Sequence, residues 1–232
     1  MKKVRVLIID DERAARSEIR RLLGNNPDFE IMGEAVNADD ALKMIGEQMP
    51  DLLFLDIQMP EKSGFDLLES LEQVPPVIFT TAYDQYAVKA FEVSALDYLV
   101  KPIRDERFEK AIAQARQRLS KADPAGQIFV KDRQQYHFIQ WSSVHLIESM
   151  DNYVRIFFGD KNVFLKSSLN HLEDKLNSSI FFRINRAQII NRQYIQTITT
   201  LDGRLKITIS TGAQLEVSER QSAKFRHWAA NK

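Results

Sequence analysis

Four short apolar runs in this chain each hand over to residues that suit phosphoryl chemistry. Val6–Ile9 leads to Asp10-Asp11, Leu52–Leu55 to Asp56, Val77–Phe79 to Thr80-Thr81, and Tyr98–Val100 to Lys101-Pro102. Each has an ordinary explanation when taken singly. Asp10-Asp11-Glu12 can cap a helix and favour its dipole, a lone Asp after a strand is usually a turn former, and Lys101 or Thr81 can be plain surface groups. Together they are harder to explain in that way. Three carboxylates brought to one place repel one another unless a cation sits among them. A hard divalent ion such as Mg²⁺, held by carboxylates, a carbonyl and water, fits that donor set. A lysine beside them is a compact point charge for a phosphoryl group, a hydroxyl adds a donor, and a carboxylate nucleophile can form an aspartyl-phosphate.

The elements that must position these groups are legible in the same half. The apolar runs are continuous, as in strands covered on both faces of a parallel sheet, with a weaker run at Phe29–Met32. Between them lie stretches of helical period: Ala15, Ile19 and Leu22; Ala38, Leu42, Ile45 and Met49; and Phe108, Ile112, Ala115 and Leu119. Five alternations of strand and helix point to a doubly wound α/β sheet, in which functional groups gather at the carboxyl ends of the strands.

Ser120–Gly126 interrupts this pattern with small residues, a proline and a glycine, and reads as a linker. Beyond it the period changes to two at Phe129, Tyr136–Ile139, Val154–Phe157 and Leu205–Ile209. Turn signals stand at Gly159-Asp160, Asp202-Gly203 and Thr211-Gly212. Helical spacing returns only at Leu169, Leu172 and Leu176, and at Phe225 and Trp228. The expected division is a first domain over 1–121, a linker over 122–127 and a mostly-β second domain over 128–232.

Composition narrows the classes. The 232 residues are long enough for two self-sufficient cores, and with no cysteine nothing here is a disulfide scaffold or thiolate site. The opening residues hold too short an apolar run for a signal peptide or membrane span, so a soluble cytoplasmic protein is the default expectation. The net charge of zero conceals an asymmetry. Residues 1–121 hold 17 Lys+Arg against 22 Asp+Glu, and residues 122–232 hold 15 against 10. The second half is the one to suspect of nucleic-acid binding.

The first half resembles the receiver domain of response regulators, on Asp10-Asp11, Asp56-Ile57-Gln58-Met59-Pro60 with Gly64, Thr81-Ala82 and Tyr98-Leu99-Val100-Lys101-Pro102. That resemblance implies a five-stranded, flavodoxin-like receiver with Asp56 as phosphoacceptor for a sensor histidine kinase. It implies Mg²⁺ held by Asp11, Asp56 and the Gln58 carbonyl, with Asp10 acting largely through water. Lys101 and Thr81 would bind the phosphoryl oxygens, and Tyr98 would be the switch aromatic that follows Thr81. It further implies a homodimer, formed on phosphorylation or on DNA, through Gln85–Val93, Tyr98 and Arg104–Leu119.

The second half lacks the residue grammar of an enzyme. Its four histidines have no metal spacing, no serine stands in a nucleophile elbow, and no Gly-rich phosphate loop is present. No catalysis is expected beyond the receiver's own phosphotransfer and dephosphorylation. Arg183, Arg186 and Arg192 crowd one stretch around Asn185 and Asn191; Arg and Asn are side chains that read base edges, and a solvated basic face is the bland alternative. Leu146-Ile147-Glu148 with Asn152-Tyr153-Val154, Phe182–Arg186, Ile190-Asn191, Ile195 and Leu215–Ser218 resemble the LytTR output domain. The resemblance implies a β fold whose loops enter major grooves of double-stranded DNA at promoter repeats. Candidate base readers are Asp151, Asn152, Tyr153, Arg186 and Arg220; Lys166, Ser167 and Asn185 are candidate phosphate contacts. An output domain that binds a protein or RNA partner is the alternative.

Overall fold

The computed structural model describes residues 3–82, 95–120, 126–133, 135–201 and 203–230. The Gln85–Val93 segment and most of the linker lie outside them, as does Asp202. The chain forms two compact units, 1–138 and 139–232.

In the first unit, five parallel strands β1 (Val4–Ile9), β2 (Phe29–Ala35), β3 (Leu52–Asp56), β4 (Val77–Thr81) and β5 (Asp97–Val100) lie in the order β2-β1-β3-β4-β5. Every residue of β3 and β4 is buried, which is why their sequences are continuous apolar runs. The helices are α1 (Arg13–Leu23), α2 (Ala38–Glu47), α3 (Gly64–Ser70) and α4 (Asp105–Leu119). One core holds Leu7, Leu53, Leu55, Phe65, Leu67 and Phe79; the other holds Val6, Ile8, Ile19, Phe54, Phe108 and Ile112. The strand order reverses between β1 and β3, so the crevice of this sheet opens where those two strands end.

Local chemistry sets the helix ends. Asn37 accepts the Asp40 N–H at the start of α2. Ser63 and Asp66 form a reciprocal capping box at α3, a helix that hydrophobic spacing alone does not reveal. The helical face expected to run from Ala38 to Met49 stops earlier. Pro50 disfavours helical backbone at Met49, α2 ends at Glu47, and Met49 is exposed.

Past the linker, β6 (Gln127–Asp132) and β7 (Gln135–Gln140) form a two-stranded sheet. Within the first unit its aromatic residues pack on α3 and β4. The Phe65 ring stacks on Tyr136 at 4.5 Å between centroids, and Phe138 lies 6.4 Å from Phe79. Val74 N–H donates to the Gln127 carbonyl at 3.0 Å. The units therefore divide at 138/139, whereas the composition break stands at 121–127.

The second unit holds a five-stranded antiparallel sheet of β8 (Val144–Met150), β9 (Tyr153–Phe158), β10 (Lys161–Leu165), β11 (Phe181–Arg183) and β12 (Gln188–Asn191), ordered β10-β9-β8-β12-β11. A three-stranded sheet follows, β13 (Ile195–Leu201), β14 (Arg204–Ile209) and β15 (Gln214–Val217). With α6 (Glu219–Ala230) it closes a core of Leu146, Ile184, Ile190, Ile207, Ile209 and Phe225. Leu169 and Leu172 of α5 (Leu169–Lys175) are also buried.

Candidate functional site

β1 ends at Ile9 and β3 at Asp56, so the topology sets Asp10 and Asp56 side by side at the crevice. Both are almost fully buried, whereas Asp11 faces solvent. The Asp10 N–H donates to the Ala35 carbonyl of β2 at 3.1 Å, which holds it at the sheet's edge. Its Oδ1 accepts the Glu12 N–H at 3.0 Å, as Asp56 Oδ1 accepts the Gln58 N–H at 2.9 Å. The second oxygen of each carboxylate meets Lys101, 2.6 Å from Nζ to Asp56 Oδ2 and 2.8 Å to Asp10 Oδ2. Lys101 is delivered by β5, and its N–H donates to the Thr81 carbonyl at the end of β4. The Lys101–Pro102 peptide is cis.

Electrostatics show how tense this cluster is. Burial pushes the Asp10 carboxyl up from its ordinary range, and Lys101 only partly pulls it back. Burial alone would lower Lys101, but its pairing with Asp10 and Asp56 outweighs that and raises it. One ammonium thus serves two buried carboxylates. Asp10 Oδ2, although beside Nζ, has no aligned hydrogen bond. Oxygens of Asp10, Asp11 and Asp56 lie within 4.8 Å of one another. An oxygen without a hydrogen bond in a cluster of three hard donors is what a small divalent cation would complete, so the residues fit Mg²⁺.

The remaining first-half candidates fall around this centre. Thr81 is fully buried at the end of β4, and Tyr98 is buried in β5 with the core that contains Phe79. Gln58 is exposed, with its backbone N–H on Asp56. Gly64 opens α3 against the phosphoacceptor candidate itself. A Cβ there would stand 2.3 Å from the Asp56 carbonyl oxygen, so only glycine permits that approach.

In the second unit, strand register brings the second set of candidates to one end. Leu165 of β10 pairs with Val154 of β9, and Tyr153 with Met150 of β8. Ser149 N–H donates to the Ala187 carbonyl. The Asp151-Asn152 turn, Lys166-Ser167 after β10 and the Asn185–Ala187 turn are therefore neighbours along one edge. Ser218 N–H donates to the Ile184 carbonyl, which sets Arg220 of α6 beside them. Asp151, Asn152, Tyr153, Lys166, Arg186 and Arg220 are exposed; Ser167 is half-buried.

Asn185 is engaged within the domain. Its Nδ2 donates to Gln188 Oε1 and the Glu216 carbonyl, and its Oδ1 accepts the Ala187 N–H. It builds the turn that presents Arg186. Nor do the three arginines form one basic face. Arg183 bonds Glu173, Asn170 and the carbonyls of Asn185 and Arg186, bracing the same turn. Arg192 donates to the Ala229 carbonyl and lies over the Trp228 ring. Exposed Met150, beside Tyr153 at the same edge, was not singled out in the sequence. An apolar residue set directly before an Asp-Asn turn is the signal that could have flagged it.

Comparison with known proteins assigns a family to each half of the chain. Residues 6–113 match the response regulator receiver domain family, and residues 134–230 match the LytTr DNA-binding domain family. The chain is 32% identical over 234 residues to the sensory transduction protein LytT of Enterococcus faecalis (strain ATCC 700802 / V583), covering 95% of this chain and 97% of that protein. It is 36% identical over 230 residues to the transcriptional regulatory protein BtsR of Salmonella typhi, covering 94% and 95%. BtsR of Escherichia coli (strain K12) is 35% identical over the same span. Among the described residues, no helix is long and apolar enough to cross a membrane.

Proposed function

The chain belongs to the response regulators that join a receiver to a LytTr DNA-binding domain, and we propose that phosphorylation of Asp56 is what controls its DNA-binding half. The carrying observation is that Lys101 Nζ spans Asp10 and Asp56, at 2.8 and 2.6 Å, with Asp11 in reach. In this reading an Asp56 oxygen attacks phosphorus as the bond from phosphorus to the phosphohistidine nitrogen of a sensor kinase breaks. Asp10, Asp11, Asp56 and the Gln58 carbonyl would hold Mg²⁺, which supplies charge neutralisation between the anionic donor and the anionic carboxylate.

Lys101 then has a stronger partner. The phosphoryl group puts roughly −1.5 to −2 charge on three acceptor oxygens in place of the single charge of the Asp56 carboxylate, next to a lysine that Asp10 still shares. Lys101 and the Thr81 hydroxyl bind those oxygens, which draws β4 and β5 toward the phosphate and biases Tyr98 between two arrangements. Supporting this, Lys101 and Thr81 are already tied through the backbone at 2.8 Å. Asp151–Tyr153, Lys166, Ser167, Arg186 and Arg220 are the proposed DNA contacts, supported by their gathering at one edge of the second unit. A kinase partner, DNA target and cytoplasmic setting follow from this reading.

Incubation with acetyl [³²P]phosphate and Mg²⁺ tests the phosphoacceptor. Asp56→Asn is expected to fold and to show no acid-stable, base-labile label. A label persisting in that variant would move the phosphoacceptor elsewhere.

A further inference from the structure

The edge strand β13, Ile195–Leu201, has not entered any of the sites above. Among the described residues it pairs only with β14, leaving its other edge without a strand. From Gln196 to Leu201 every residue is exposed, and Ile198 and Leu201 show 44% and 53% of their surface. Ile198 lies opposite Ile207, which is fully buried, so it stands on the core-facing side of the sheet and yet projects past the core. Exposed edges are ordinarily blunted by lysine, proline or an inward charge. In a chain with 28% charged residues, β13 carries none of these. A bulge between Ile195 and Thr197 protects only its beginning.

The order of residues indicates what fits there. Read from either end, Ile-Gln-Thr-Ile-Thr-Thr-Leu gives the same apolar–polar–polar–apolar–polar–polar–apolar pattern. An antiparallel copy centred on Ile198 would set Ile198 beside itself, Thr197 beside Thr199 and Gln196 beside Thr200, with Leu201 toward Ile195 of the other copy. Thr–Thr and β-branched pairs stabilise neighbouring strands, and a strand without charge has nothing to repel its own copy. A two-fold interface requires this self-complementarity, in which residue i meets j and j meets i.

We propose that β13 is a self-association surface, on which a second copy of this chain adds its own β13 in antiparallel register about Ile198. This surface is separate from the expected receiver surface of Tyr98 and α4. None of the eight candidate DNA-contacting residues lies in it. It does not depend on the phosphoacceptor or on the DNA reading. A single strand pair buries less than the roughly 1,200 Å² of a stable interface, so the association is weak alone.

The absence of cysteine gives a direct test in the full chain. Ile198→Cys places two thiols on the two-fold axis, where paired Cα atoms stand about 4.5–5.5 Å apart, within disulfide range. Leu201→Cys places them about 20 Å apart, six residues along the strand. Under mild oxidation Ile198→Cys is expected to form a disulfide dimer at least tenfold faster than Leu201→Cys. Equal rates, or no dimer from Ile198→Cys, would overturn the proposal. As a second measurement, Ile198→Lys is expected to weaken self-association at least tenfold in sedimentation runs at high concentration, with circular dichroism unchanged. Unchanged association, or a wild-type chain that stays monomeric, also overturns it.

Discussion

The crevice of the first unit is governed by how few groups serve how many charges. Asp10 is buried with its carboxyl pushed upward by burial, beside a Lys101 whose ammonium Asp56 also uses. A carboxyl raised in the fold favours the native state while protonated and opposes it once ionised. Its contribution is present below the unfolded-state value and is lost as pH rises through the folded one. The ionised form of Asp10 therefore costs stability, as expected for a group held for chemistry. Asp10→Asn is expected to raise the melting temperature of the receiver at pH 7, and this gain should shrink as pH falls toward the ordinary carboxylate range. A gain that grows on acidification would contradict the assigned cause. Two glycines separate packing from propensity at the same scale. Gly64→Ala forces a methyl against the Asp56 carbonyl, and a misplacement of that order costs about 100-fold in a positioned reaction. Gly46→Ala, with open space around it inside α2, is expected to stabilise by about 1 kcal/mol. Phosphorylation rates and urea midpoints of the two variants check both outcomes.

At the scale of elements, the strands were legible wherever burial on both faces made their sequences apolar throughout. β3 and β4 are the clearest cases. α3 is seven residues long and amphipathic over too short a span for periodicity, so only its capping box announces it. The hairpin β6–β7 was legible as strands, but its packing was not. A period of two shows that one face of Phe129, Tyr136 and Phe138 is covered without naming what covers it. That cover is Phe65 and Phe79, aromatic residues far apart in sequence that meet only once α3 is laid on β4. The arrangement ties the hairpin to the helix that begins at Gly64, against Asp56. Phe129 is 4% exposed within this cluster, so Phe129→Ala is expected to cost about 3–5 kcal/mol. Urea unfolding of the full chain, followed by a probe in the first unit, reads that loss. A change under 1 kcal/mol would mean that the hairpin merely rests on α3.

Across the whole molecule the charge asymmetry pointed to the right half, but sequence counting could not separate arginines that read a ligand from those that build the fold. Arg183 and Arg192 are spent on carbonyls, a carboxylate and a ring; Arg186 and Arg220 are exposed. Asn185 likewise has a structural part that its residue type does not reveal, its amide making three hydrogen bonds within the domain. The sequence named the candidate residues one by one; that they share an edge, and which side chains are exposed there, depends on strand register. The exposed cations at that edge divide by the chemistry they reach. Lys166, a point charge after β10, suits a phosphate, and Arg186, held out by a braced turn, suits the bidentate edge of guanine. Lys166→Ala is expected to weaken binding to every duplex alike and to reduce the slope of log K against log salt by about 0.9. Arg186→Ala should instead cost about 1–3 kcal/mol on the cognate site and much less on unrelated DNA, narrowing the ratio between them. Titrations of both variants at several salt concentrations, on a cognate and a scrambled duplex, distinguish the roles. If Arg186→Ala lowers both affinities equally, its guanidinium contacts the backbone and base reading falls to Arg220 and the Asp151–Tyr153 turn.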